Sequence, residues 1–344
     1  MAEPIALVLL TGFLGSGKTT LLNSMLSRAT DGRTGILVNE FGTVGVDGAL
    51  IRKSGTEDGM TVYEVADGSI FCTCKSASFV AGLRMFARLP ETRRPERLVV
   101  EASGMSDPSG LTKLLRDNRL AGDYVVVKIV CLVDAVRFPK VVDTLPAVRR
   151  QVEAADSIVI NKVDLLEEAG PTQEADPTQE ASAEPPAEPP ALRALESKLR
   201  EMNGDAEILR TSFGRISDTV WSGVSKDLAG ELVSCTTPET RPASLHLRLD
   251  GDCGGADCRE AVDRFLRAAV ARTYRIKGWL AVDGRWYFIS DNSGRIEWES
   301  QEPPAGAKPG LVVIAAPEGA DEVADLWRDA TAGAAERTIP GGAS

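Results

Sequence analysis

Histidine is almost missing: His246 is the sole example in 344 residues. A catalytic zinc site of three histidines is thereby excluded, and any transition-metal site has to be built mainly from thiolates and carboxylates. Cysteine is sparse too, limited to Cys72, Cys74, Cys131, Cys235, Cys253 and Cys258. That is too few for a disulfide scaffold, so close pairs read as metal or redox sites. Positive charge is in deficit, with 39 Lys and Arg against 50 Asp and Glu. A general nucleic-acid binder needs the opposite balance to neutralise phosphates, so no nucleic-acid partner is expected. Long apolar runs are absent. Stretches such as Ile5–Leu10 and Val125–Val133 are strand-sized, well short of the ~20 residues of a membrane-spanning helix, and no membrane partner is expected. The start, MAEPIALVLLTGFLGSGK, has no basic segment ahead of its apolar run. A secretory signal is therefore not expected, and a cytoplasmic location is.

What is present is ample chain for a core, 43% of it apolar, at a length that suggests two domains. Short β-like runs alternate with helical segments through the first half. The strand candidates are Ile5–Leu10, Thr34–Asn39, Leu98–Glu101, Val125–Val133 and Ser157–Asn161. Near-continuous apolar strands fit an α/β fold with a mostly parallel sheet and helices on both faces. The expected domain covers 1–224. Within it, 165–191 repeats PTQEA and AEPP and holds seven acids and no base. Such text cannot bury enough apolar area to offset its ordering entropy, and reads as a disordered insertion. A linker at 225–242 precedes a smaller α+β domain at 243–330. That domain is expected to contain strands at Ser244–Leu249 and Leu311–Ala315, helices at Arg259–Tyr274 and Asp321–Ala330, and a hairpin turning at Asp283-Gly284. Residues 331–344 read as a flexible tail.

Residues 12–19 read Gly-Phe-Leu-Gly-Ser-Gly-Lys-Thr, a full GxxxxGK[ST] P-loop between an apolar strand and a helical run that opens at Thr20. Gly12, Gly15 and Gly17 let the backbone curl so that the N–H groups around Ser16 point inward, an anion nest at a helix N-terminus. Lys18 suits β- and γ-phosphates, and the Thr19 hydroxyl suits Mg²⁺. The second element is Leu98-Val99-Val100-Glu101-Ala102-Ser103-Gly104. Glu101 is a strand-end acid for Mg²⁺ or the attacking water, and Gly104 can bring a backbone N–H to a γ-phosphate. The third is Asn161-Lys162-Val163-Asp164 after a buried strand. A carboxylate such as Asp164 accepts two hydrogen bonds from guanine, where adenine offers no such donor pair, so GTP is favoured over ATP. A small-molecule kinase is the rival that this element argues against.

Cys72 and Cys74 stand at i and i+2, on one face of an extended segment. Two thiolates suit a soft or borderline metal, with Glu40, a substrate or a second subunit completing the site; a reactive pair and inert cysteines are the other readings. Together the stretches TGFLGSGKTTLLN, VNEFGTVGVD, VEASGMSDP, VDAVRF, QVEAADSIVINKVDL and RIKGW resemble the CobW-type GTPases, over residues 4–165 and 192–329. The resemblance implies binding of GTP and GDP with Mg²⁺ and slow GTP hydrolysis. It also implies a metallochaperone cycle that delivers a metal such as Zn or Co, or loads a cofactor, for a client metalloenzyme. The small C-terminal module would then contact the client or a second copy, which leaves a homodimer open. Departures are visible: the family's usual Gly-Cys-x-Cys-Cys is Gly68-Ser69-Ile70-Phe71-Cys72-Thr73-Cys74 here, and Thr43 replaces the acid often found in the preceding loop. A regulatory GTPase that activates its client by contact, without metal cargo, is the alternative.

Overall fold

A computed structural model describes residues 3–26, 33–39, 61–65, 76–167, 188–216, 242–249, 256–303, 310–331 and 337–338. The strands are β1 (Ile5–Gly12), β2 (Thr34–Asn39), β3 (Thr61–Val65), β4 (Arg97–Glu101), β5 (Tyr124–Asp134), β6 (Ser157–Asn161) and β7 (Glu207–Arg210). They form one sheet in the order β3-β2-β4-β1-β5-β6-β7, and every pairing is parallel. Side chains alternate across it. Leu7 and Leu9 join Phe79, Phe86, Leu98 and Val100 on one face, while Val8 and Leu10 join Leu21, Leu22, Val99 and Leu132 on the other. Both faces are therefore apolar and covered, as continuous hydrophobic strands require. The covering helices are α1 (Lys18–Leu26), α2 (Ser76–Ala87), α3 (Leu111–Asp117), α4 (Phe138–Val141), α5 (Pro146–Glu153), α6 (Asp164–Glu167) and α7 (Pro190–Met202).

Part of the expected 165–191 insertion is ordinary structure. Residues 165–167 lie in α6 and Pro190 opens α7, a first-turn position where the missing N–H costs nothing. Residues 168–187 lie outside the described residues, as do all but Pro242 of the expected linker.

The second sheet is antiparallel. Its strands are β8 (Ala243–Leu247), β9 (Thr273–Val282), β10 (Arg285–Asn292), β11 (Arg295–Ser300), β12 (Gly310–Ala315) and β13 (Arg337–Thr338), in the order β11-β10-β9-β12-β8-β13. Helices α8 (Ala256–Val270) and α9 (Ala320–Thr331) pack on it through Val262, Phe265, Leu266, Val323 and Trp327. Asp283 and Gly284 both have positive φ, as a two-residue type I′ hairpin demands. Three expectations change. The helix expected to reach Tyr274 ends at Val270, because the chain from Thr273 onward pairs with the distant strand β12 as β9; the Thr273 hydroxyl closes the last helical turn on the Ala269 carbonyl (2.9 Å). Two residues of the expected tail pair with β8. A second turn, Ser293-Gly294, joins β10 to a strand that the charged text Arg295–Ser300 did not announce. Among the described residues no helix is long and apolar enough to cross a membrane.

Candidate nucleotide site

Parallel register brings the motifs to one edge of the sheet. Leu10 is paired with Glu101, Gly12 with Leu132, and Asp134 with Asn161. The carboxyl ends of β1, β4, β5 and β6 therefore converge, where doubly wound sheets place their ligands. A cleft of about 670 Å³ opens there, lined by Gly15, Gly17, Lys18, Thr19, Thr20, Glu101, Gly104, Asn161, Lys162 and Asp164 among others.

Within it the P-loop is held by its own side chains and by its neighbours. The buried Lys18 ammonium donates to the carbonyls of Gly12 (2.7 Å) and Phe13 (3.1 Å). The Thr19 hydroxyl donates to Glu101 Oε1 (3.0 Å). A hydroxyl and a buried carboxylate this close form a hard oxygen pair suited to a small divalent cation. The Asn161 side-chain amide donates to the Ser16 carbonyl (2.8 Å), and its Oδ1 accepts from the Gly214 amide (3.3 Å). Asn161 thus fastens the phosphate loop to the loop after β7. Gly104 lies against the P-loop: a Cβ there would stand 2.6 Å from the Leu14 nitrogen. Asp164 opens α6, half-buried at the cleft wall. Glu40, Cys72 and Cys74 lie outside the described residues, and among the described residues no cluster of three or more His, Cys, Asp or Glu could hold a metal ion. Cys131 sits in β5, where burial pushes its thiol up to about 12, so it stays protonated and unreactive near neutral pH.

Residues 6–187 match the CobW/HypB/UreG nucleotide-binding domain. The chain belongs to the CobW/HypB/UreG family. It is 26% identical over 292 residues to the zinc chaperone YjiA of Escherichia coli (strain K12), covering 82% of this chain and 83% of that relative. It is 32% identical over 192 residues to the zinc chaperone CobW of a Sinorhizobium species, covering 48% of this chain and 53% of the relative. The crystal structure of Zn(II)-bound YjiA GTPase from E. coli aligns over 95% of this chain and 99% of that one, at 20% identity and a TM-score of 0.44.

In this CobW/HypB/UreG chain several residues that buttress the cleft carry no P-loop signature. Gln151 of α5 is buried and donates to the carbonyls of Gly104 (3.1 Å) and Ser106 (2.9 Å), which sets the orientation of the loop after β4. Asp134 ends β5. Its Oδ1 accepts from the amides of Val136 and Arg137 (2.9 Å each), and its Oδ2 meets the Lys162 ammonium (2.9 Å) and the Ser293 hydroxyl (2.5 Å). Arg137 pairs with Asp291 and donates to the Tyr274 carbonyl (2.7 Å). Tyr274 in turn meets Phe13 edge-to-face, with ring centroids 5.8 Å apart. The second sheet therefore touches the P-loop and the Asn161–Asp164 element directly. It also lines the cleft with Arg275, Lys277 and Arg295. The Ser-Gly dipeptide is a turn marker that foreshadows part of this contact; nothing local names its partner.

Gly17 is the tightest point of the loop. Its φ is +101°, and a Cβ would stand 2.2 Å from Asn161 Nδ2. Gly17→Ala combines backbone strain with displacement of a buried amide, and is expected to cost about 2–5 kcal/mol. Chemical denaturation measures it; an unchanged midpoint would mean that Asn161 does not seat against the loop.

Proposed function

We propose that this protein is a GTPase that couples GTP hydrolysis to delivery of a metal, or loading of a cofactor, for a client metalloenzyme in the cytoplasm. The observation that carries the nucleotide part is the convergence of the P-loop, Glu101 and the Asn161–Asp164 element on one cleft. On this reading the loop amides cradle the phosphates, and Lys18 leaves the Gly12 and Phe13 carbonyls for phosphate oxygens. Both exchanges offset charge that grows in phosphoryl transfer to water. Thr19 and Glu101 fit Mg²⁺, which when bound neutralises charge on the phosphate oxygens. Glu101 also helps to place the attacking water, and Gln151 holds Gly104 where its amide can meet a γ-phosphate. Asp164 reads the guanine edge.

The metal part is supported by the family's zinc-chaperone relatives and by Cys72 and Cys74, with Glu40 as a further ligand and zinc or cobalt as the fitting cargo. Ser69 and Phe71, which replace two thiols of the family's usual motif, favour the second reading: a GTPase that activates its client by protein contact without carrying metal. Isothermal titration with Mg²⁺ present is expected to show GTP bound at least tenfold more tightly than ATP. Zinc titration of the wild type and the Cys72→Ser/Cys74→Ser variant, with and without a GTP analogue, separates the cargo readings. A zinc affinity that depends on both the thiols and the nucleotide supports delivery. Unchanged zinc affinity with retained client activation supports the contact reading. Equal affinity for ATP and GTP removes the guanine assignment altogether.

A further inference from the structure

Phe213 is 68% exposed, the more open of the two exposed large hydrophobic side chains among the described residues. It lies in the loop after β7 and lines the cleft beside Asn161, Lys162, Asp164 and Leu165. Its backbone is unusual. Phe213 (φ 58°) and Gly214 (φ 64°) are both left-handed, and the Arg215 amide closes the turn on the Ser212 carbonyl (3.4 Å). This is the signature of a type I′ turn, whose ordinary first central residue is Asn, Asp or Gly. An aromatic side chain there is strained and gains little burial. Strain of this kind persists where the surroundings over-determine it, and it clusters at ligand-binding positions.

The surroundings do over-determine it. The Thr211 amide donates to the Ile160 carbonyl (2.8 Å), and the Thr211 hydroxyl donates to the Arg215 carbonyl (2.8 Å). Gly214 is pinned between Asn161 Oδ1 and α1, where a Cβ would stand 2.9 Å from the Leu21 Cα. The same Asn161 holds the P-loop. The turn that displays the ring is thus tied rigidly to the element that reads the base edge.

We propose that Phe213 is a stacking platform for the base of the bound guanine nucleotide; the inference rests on the GTP reading above. Asp164 reads the edge of the purine, and the Phe213 ring covers its face. A ring face does not distinguish purines, so the residue adds affinity and leaves selectivity to Asp164.

Phe213→Asn tests this, because it relieves the turn while removing the ring. The nucleotide-free variant is expected to melt about 2–4 °C higher than the wild type, from release of backbone strain. Its affinities for GTP and GDP should both fall about 5- to 150-fold, the span of base–aromatic stacking, with the GTP-to-ATP ratio unchanged. Phe213→Trp should keep wild-type affinity and gain an emission component that GDP quenches. Unchanged GDP affinity in Phe213→Asn overturns the proposal. Weaker binding with a lower melting point also overturns it, by making Phe213 a packing residue. A wild type that binds no guanine nucleotide sinks the GTP reading itself, a separate result from selective loss in the variant.

Discussion

Asp164→Asn is expected to lower the affinity for GTP by roughly 100- to 10,000-fold and to create affinity for xanthosine triphosphate. Guanine presents two adjacent donors, N1–H and the 2-amino group, to a carboxylate that accepts both. Each hydrogen bond to a charged acceptor is worth about 1.5–3 kcal/mol, and the two add because one rigid base makes them together. The Asn amide keeps one acceptor and replaces the other with an NH₂ donor, which opposes the 2-amino group but matches the 2-oxo group of xanthine. Asp164 lines the cleft at the start of α6, two residues after the Lys162 that is tied to Asp134. The change is isosteric, so the loop has no reason to move. Competition titration against a fluorescent guanine nucleotide measures both halves. Retained GTP affinity, or loss without gain of xanthosine triphosphate, removes Asp164 from the base-reading position.

Asp291→Ala is expected to destabilise the protein by about 3–5 kcal/mol. Asp291 and Arg137 form an ion pair with side chains 0% and 9% exposed. The Asp291 carboxylate also accepts from the Gly294 amide (2.8 Å), which shapes the β10–β11 turn. Removing it strands a nearly buried guanidinium between the two sheets. The cost is mainly that of the orphaned charge, so the double variant Arg137→Met/Asp291→Leu should recover most of the loss. Urea denaturation of both variants gives the comparison. A loss below about 1 kcal/mol would mean that water reaches the pair in solution. The single variant should also loosen the nucleotide cleft, because Arg137 lies beside Gly15 and the same turn carries Ser293 to Asp134 and Lys162.

The nucleotide motifs were legible because their information is local. A P-loop needs glycines and Lys18 at fixed spacing after a strand, and both spacing and strand are written within about fifteen residues. The apolar strands were legible for a similar reason: a sheet buried on both faces leaves no polar alternation to confuse. What was misread turned on a partner distant in the chain. The periodicity of Arg259–Tyr274 reads as one helix, yet Tyr274 belongs to β9, where it packs against Phe13. Phe213 is one aromatic in a polar loop, and neither its exposure nor its turn geometry is encoded by Phe itself.

Order along the chain determined a parallel α/β sheet with a phosphate loop on its central strand, since strand length, apolar content and glycine spacing are properties of contiguous residues. Tertiary structure alone decided that Asn161 clasps the P-loop, that Gln151 orients the segment after β4, and that the second sheet locks onto Asp134, Arg137 and Lys162. These contacts join side chains to carbonyls or to other side chains 45 to 159 positions away in the chain. Their formation depends on which strand ends share an edge, and that is settled when the sheets assemble and the buried charges find partners.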